Sequence, residues 1–213
     1  MLMLAMHFQV YSLDFLLVHT EYESRQLHQP VSFSISPGKW TVLQGESGLG
    51  KTSLLRAAMG FNECVRGRIS INDEDVNAGL INRLRKVCGY LPQRPYLGEG
   101  KVLGQINDLL PESGQVQTAL ELCRDFGLPE RILQAPAERL SGGELQRLTL
   151  SLLLSREPQL LMLDEPSAAL DGFSRKRLID ILQEHKIGGL MISHDEYLTE
   201  ALADSTVTLE AIA

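Results

Sequence analysis

Between Trp40 and Met59, a buried-type apolar strand pattern (Trp40 to Gln44) runs into Gly45-Glu46-Ser47-Gly48-Leu49-Gly50-Lys51-Thr52, and a helical pattern follows from Ser53 to Met59. This octapeptide constrains the chain more than any other feature. Its glycines let the backbone wrap around an anion so that several N–H groups converge on it. A helix starting near Lys51 adds the positive end of its dipole. The Lys51 ammonium is placed to reach the β- and γ-oxygens of a nucleotide, and the Thr52 hydroxyl to ligate Mg²⁺. Gly45 through Ser53 are therefore the candidate nucleotide-binding residues.

The flanking pattern agrees with an α/β core. Strands are expected at Leu13 to Val18, Val31 to Ile35, Arg68 to Ile71, Val87 to Leu91, Leu160 to Leu163 and Gly189 to Ser193. Helices are expected at Gly142 to Leu154, Ser174 to His185 and Asp195 to Leu202. Alternation of the two types implies a mostly parallel sheet. Between about Pro95 and Leu140, Gly and Pro punctuate a helical pattern centred on Val116 to Phe126. That stretch reads as a helical insertion at about residues 93–140, with the core at about 1–92 and 141–213. One domain accommodates all 213 residues.

Asp164 and Glu165 close the apolar run Leu160-Leu161-Met162-Leu163. Carboxylates at the end of a strand buried on both faces sit beside the phosphate loop in such sheets. Asp164 is then the Mg²⁺ carboxylate and Glu165 the candidate general base for an attacking water.

Composition sets further bounds. A net charge of -7 argues against a nucleic-acid partner and against electrostatic docking on anionic lipid. Cys64, Cys88 and Cys123 are widely spaced, with no C-x-x-C, and read as reduced core thiols. No stretch approaches the roughly 18 to 20 apolar residues of a membrane span. The apolar opening Met1 to Met6 lacks the flanks of a signal peptide, and initiation at Met3 or Met6 fits the start equally well.

Leu140-Ser141-Gly142-Gly143-Glu144-Leu145-Gln146-Arg147 resembles the LSGGQ signature of ABC ATPases, with Glu144 in place of the fifth-position Gln. The resemblance covers essentially the whole chain, in order. It implies the P-loop ABC fold: a mixed, mostly parallel sheet, an antiparallel β part and an inserted α-helical subdomain. It also implies ATP and Mg²⁺ as ligands. Gln93 resembles the Q-loop glutamine, which contacts Mg²⁺ and the attacking water. Ser167-Ala168-Ala169-Leu170-Asp171 resembles the D-loop, and His194 the switch histidine at the γ-phosphate. With Lys51 and Glu165, Gln93 and His194 complete the catalytic set the resemblance implies. Tyr22 aligns with the aromatic that stacks on adenine; Tyr11 is the alternative, and Phe15 reads as strand core.

Physically, Ser141 and the amides of Gly142, Gly143 and Glu144 at a helix start form a second anion site. With a helical lobe intervening, that site reaches a γ-phosphate only on another copy. The expectation is an ATP-dependent head-to-tail homodimer, held to the inner face of the cell membrane by a separate integral membrane permease. The run Pro95-Tyr96-Leu97-Gly98-Glu99-Gly100-Lys101-Val102 resembles that of export-type members, apart from Gly98 and Lys101. Phe126 to Leu133 is similar to the ATPase of bacterial iron-export systems.

Overall fold

The computed structural model describes residues 9–23, 25–62 and 65–212, with the backbone alone at Tyr22. The elements run β1 (Leu13–Tyr22), β2 (Arg25–Gln26), β3 (Val31–Ile35), β4 (Trp40–Gly45), α1 (Lys51–Ala58), β5 (Val65–Ile71), β6 (Glu74–Asp75) and α2 (Ala78–Val87). They continue with β7 (Cys88–Leu91), α3 (Val102–Leu109), α4 (Ser113–Asp125), α5 (Gly142–Leu154), β8 (Leu160–Asp164), α6 (Gly172–Glu184), β9 (Gly188–Ile192), α7 (Glu196–Leu202) and β10 (Ala203–Leu209). Two short 3₁₀ turns, Glu130–Gln134 and Ala137–Arg139, lie between α4 and α5.

The strands form two sheets. One is wholly parallel, ordered β10-β4-β9-β8-β7, and the other is antiparallel, with β1 between β5 and β3. β8 and β9 are buried along their whole length, as the middle strands of a sheet covered on both faces must be. On one face, Leu54, Leu55 and Ala58 of α1 pack with Phe15, Ile71, Met162 and Ile192 against the antiparallel sheet. On the other, Leu150 and Leu154 of α5 join Leu178, Ile181, Leu198 and Met191. The opposite face of α5, through Leu148 and Leu152, meets Val102, Ile106, Ala119, Cys123 and Ile132 in a third cluster. Burying each of these Leu or Ile side chains contributes roughly 1.5–3 kcal/mol, so α5 is pinned from both sides.

Several boundaries differ from the sequence reading. β1 extends to Tyr22 rather than Val18, because its polar second half pairs with β5 through His19↔Arg66 and Thr20↔Val65 after a bulge. Val87 ends a helix instead of starting a strand: α2 is capped by Asn77, whose side chain accepts from the Leu80 N–H, and it buries Leu80 and Leu84 one turn apart. β10 was not expected at all. Its Ser/Thr-rich stretch shows only Leu209 fully to the core, yet it pairs in parallel with β4 over its length. Of the cysteines, Cys123 is buried, and burial pushes the Cys88 thiol up to about 12. Cys123 lies inside a core cluster and Cys88, partly buried, at the edge of another; Cys64 and the Met1 to Met6 opening lie outside the described residues. No helix among those described is long and apolar enough to cross a membrane.

Candidate nucleotide site

The loop between β4 and α1 is shaped by what lies under it. Gly50 precedes the helix at φ 84, and a Cβ there would sit 2.1 Å from Thr20 Oγ1. Only glycine combines that left-handed backbone with that approach. Thr20 Oγ1 in turn donates to the Leu49 carbonyl at 2.9 Å, and the Thr20 N–H donates to His28 Nε2 at 3.0 Å. His28 gives its Nδ1 proton to the Gln29 carbonyl at 2.7 Å, and burial lowers its pKa, so the ring is neutral and its Nε2 free to accept. β1 thus holds the phosphate loop from below.

Inside the loop, Lys51 Nζ donates to the carbonyls of Gly45 and Glu46 at 2.7 and 2.9 Å. Burial lowers the Lys51 pKa while Glu165 and Asp164 raise it. Thr52 Oγ1 donates to Asp164 Oδ2 at 2.9 Å, joining the first turn of α1 to the end of β8. Asp164 is only 2% exposed, and its burial raises its pKa, against the opposing pull of the Thr52 hydroxyl, Lys51 and Arg56.

Glu165 follows at φ 52, a left-handed conformation that costs a non-glycine residue about 1–3 kcal/mol. It persists because the loop is tied on every side. The Glu165 N–H donates to the Ile192 carbonyl at 2.9 Å, and the Ala168 N–H donates to the Glu165 carbonyl at 3.2 Å. The twist swings the Glu165 carboxylate off the β8 axis toward His194, whose Nε2 is 3.6 Å away. Burial raises the Glu165 pKa, opposed by His194 through its charge and its backbone N–H.

These groups share one cavity of about 600 Å³. Its wall brings together Ser47, Gly48, Gly50, Lys51, Thr52, Ser53, Gln93, Asp164, Glu165 and His194 from four separate stretches of sequence. Glu21, Leu27 and Ile192 also line it. Nothing in the sequence marked those three: Glu21 and Ile192 are placed by strand pairing, and Leu27 by the bond from its N–H to the Thr20 carbonyl. Gly45, Glu46 and Leu49 do not line the cavity: the carbonyls of the first two accept from Lys51, and Leu49 is buried. The Tyr22 side chain lies outside the described residues, while its backbone neighbour Glu21 is at the cavity wall. Tyr11, just ahead of the opposite end of β1, is 72% exposed, donates its backbone N–H to Asn72 Oδ1 and does not line the cavity. Phe15 is core, stacked on Phe33.

The cavity fits a Mg²⁺-nucleotide on chemical grounds. A hydroxyl and a buried carboxylate already meet at the loop's end, as an oxygen-preferring cation requires. An ammonium satisfied only by loop carbonyls has protons to redirect to phosphate. Ser141 to Glu144 do not line it. They form a capping box at the start of α5, where the Ser141 N–H and Oγ donate to Glu144 Oε2 at 2.9 and 2.8 Å and the Glu144 N–H returns to Ser141 Oγ at 3.3 Å.

A phosphate loop, strand-end acids and a switch-like histidine on a parallel sheet define an ATPase of the P-loop class. Residues 28–168 match the ABC transporter family. The zinc import ATP-binding protein ZnuC of Pseudomonas putida is 33% identical over 184 residues, which cover 84% of this chain and 67% of that protein. The aliphatic sulfonates import ATP-binding protein SsuB of Cupriavidus necator is 32% identical over 193 residues, covering 89% of this chain and 63% of that protein. The chain thus spans about two thirds of the length of these relatives. A solved structure of the ATP binding subunit of an ABC transporter superposes with a TM-score of 0.80 at 27% identity, over 95% of this chain and 86% of that one. The chain belongs to the ABC transporter family, as an ATP-binding, ATP-hydrolysing subunit that uses Mg²⁺.

Proposed function

We propose that two copies of this chain, arranged head to tail, enclose two ATP molecules and that hydrolysis drives translocation through a separate membrane permease. The observation carrying this reading is the single cavity in which Lys51, Thr52, Gln93, Asp164, Glu165 and His194 converge, while the exposed signature turn faces elsewhere. Phosphoryl transfer to water needs charge stabilisation and an aligned nucleophile more than covalent chemistry. The loop amides from Gly45 to Ser53 and the Lys51 ammonium hold the β- and γ-phosphates. Tyr22 stacks on adenine. Thr52, Asp164 and Gln93 are the residues that would hold Mg²⁺, which when bound neutralises charge between the β- and γ-oxygens. Glu165 takes the proton of the attacking water, and Gln93 and His194 keep that water in line. Ser141, Gly142, Gly143 and Glu144 of the second copy close the γ-phosphate from the far side. Opening and closing of this pair is passed to the permease by the helical part at about 93–140, which packs through α5 on the core at about 1–92 and 141–213, all within one domain. The chain is then peripheral on the inner, cytoplasmic face of the membrane, without a nucleic-acid partner.

Two substitutions test the assignment. Lys51→Ala should abolish ATP binding and turnover, and normal hydrolysis would remove the loop from its role. Glu165→Gln should bind ATP and accumulate as a dimer on gel filtration. Turnover independent of dilution, with Ser141→Ala as fast as the parent, would overturn the paired arrangement. Pro95 to Val102 favours an export-type system, with a metal ion as one cargo class, whereas both named relatives are import proteins. ATP-driven efflux from, or uptake into, vesicles holding the permease decides the direction.

A further inference from the structure

Gln146 is 2% exposed on α5, five residues beyond Ser141. A primary amide at that depth must find partners for both its oxygen and its nitrogen. Both turn to the loop after β8. Nε2 donates to the Glu165 carbonyl at 3.0 Å, and Oε1 accepts the Ala169 N–H at 3.2 Å. The Glu165 carbonyl therefore accepts two bonds, from Ala168 and from Gln146.

The same end of α5 is packed against the same loop. A Cβ on Gly143 would lie 2.6 Å from the Ala169 carbonyl oxygen, so helix and loop backbones touch there. Gln146 itself does not line the cavity.

We infer that Gln146 is a positioning residue for hydrolysis: it fixes the left-handed backbone of Glu165, and hence the aim of its carboxylate, and ties that aim to the helix that begins at the signature turn. The inference rests on Glu165 being the general base. Because Gln146 acts through Glu165 and touches no nucleotide, its loss should lower kcat and leave ATP affinity alone. A residue that merely filled space would be replaced without loss by an apolar side chain of equal length.

The experiment uses the full chain with Mg²⁺-ATP, turnover being counted per ATP-binding site so that only folded protein contributes. Gln146→Met keeps the length and loses both hydrogen bonds. Gln146→Glu keeps an acceptor for the Ala169 N–H but sets an oxygen against the Glu165 carbonyl. Both should lower kcat about tenfold or more, with KM and Kd for ATP within about twofold. Adding Gln146→Met to Glu165→Gln should cost no more than Glu165→Gln alone, since the two act as one unit. A kcat within about twofold of the parent, a loss carried by KM, or a further fall in the double variant would overturn the inference. If Gln146→Met does not fold, Gln146→Glu decides by the same thresholds. Full turnover in Glu165→Gln would remove the base and this inference together. An inactive Glu165→Gln beside a fully active Gln146→Met would remove Gln146 alone.

Discussion

Thr52 Oγ1 and Asp164 Oδ2 stand 2.9 Å apart although 112 residues separate them in sequence. One is in the first turn of α1 and the other at the end of β8. Their hydrogen bond joins the two halves of the nucleotide site. The carboxylate is almost wholly buried, and that burial opposes its charge.

Asp164→Asn should therefore stabilise the ligand-free chain while removing turnover. Asn keeps an acceptor for Thr52 and carries no charge to desolvate. With its folded pKa raised, Asp164 contributes stability that is present below its ordinary value of 3.8 and lost as pH rises through the folded value. The gain from Asn should thus show at neutral pH. Thermal melts should move up by a few degrees, at roughly 2–4 °C per kcal/mol for a chain of this size, and Mg²⁺-ATP should no longer raise the Tm. A lower Tm in the ligand-free variant would contradict the argument.

The pH dependence of hydrolysis should carry the mark of Glu165. Its carboxyl is held above the ordinary 4.5, first by burial, with His194 opposing. A base must be ionised, so kcat/KM should fall on the acid side with a midpoint above 4.5. Replacing His194 with Ala removes the largest opposing influence, and the residual activity should titrate at higher pH still. A midpoint that moves down in His194→Ala would show that the imidazole does not support the carboxylate.

The two signature glycines should respond differently to a methyl group. At Gly142 a Cβ would meet Ala169 Cβ at 3.7 Å, an ordinary contact, whereas at Gly143 it would meet the Ala169 carbonyl oxygen at 2.6 Å. Alanine in a helix is favoured over glycine by about 0.5–1 kcal/mol. Gly142→Ala should hold or raise the Tm, and Gly143→Ala should lower it, with a loss of roughly 1–3 kcal/mol of unfolding free energy as the loop is forced away. Denaturant melts compare the two directly.

His28 should make the ligand-free fold sensitive to mild acid. Its lowered pKa, from burial first, means that the neutral ring is the folded form. The stability it contributes is present above its unfolded value of 6.5 and is lost as pH falls through the lowered value. Protonation replaces the Nε2 acceptor of Thr20 with a donor, loosening the strand under Leu49. In His28→Gln, which keeps an acceptor but cannot take the proton, the decline in Tm as pH falls below 6.5 should flatten. An equally steep decline would place the acid sensitivity elsewhere.

What the sequence determined by itself was local. The strand, glycine loop and helix from Trp40 to Met59, the Ser-Gly-Gly start of α5 and the acids closing β8 are each specified within one continuous stretch of sequence. There, glycine conformations, helix capping and unbroken apolar runs act at short range, and α5 was read with its limits unchanged. The assembly of Lys51, Gln93, Asp164, Glu165 and His194 into one cavity was expected from the family resemblance, but its geometry came from the parallel order β10-β4-β9-β8-β7.

Only the tertiary structure decided the rest. β10 and the second half of β1 are polar stretches that become strands because β4 and β5 offer them partners. Thr20, Glu21 and Leu27 gain their roles from contacts made across the fold, of which the sequence carries no local trace, and Gln146, though inside the signature stretch, gains its partners the same way. The left-handed turn at Glu165 belongs to that group as well, for the Ile192 carbonyl and the Gln146 amide that hold its backbone come from other elements of the fold.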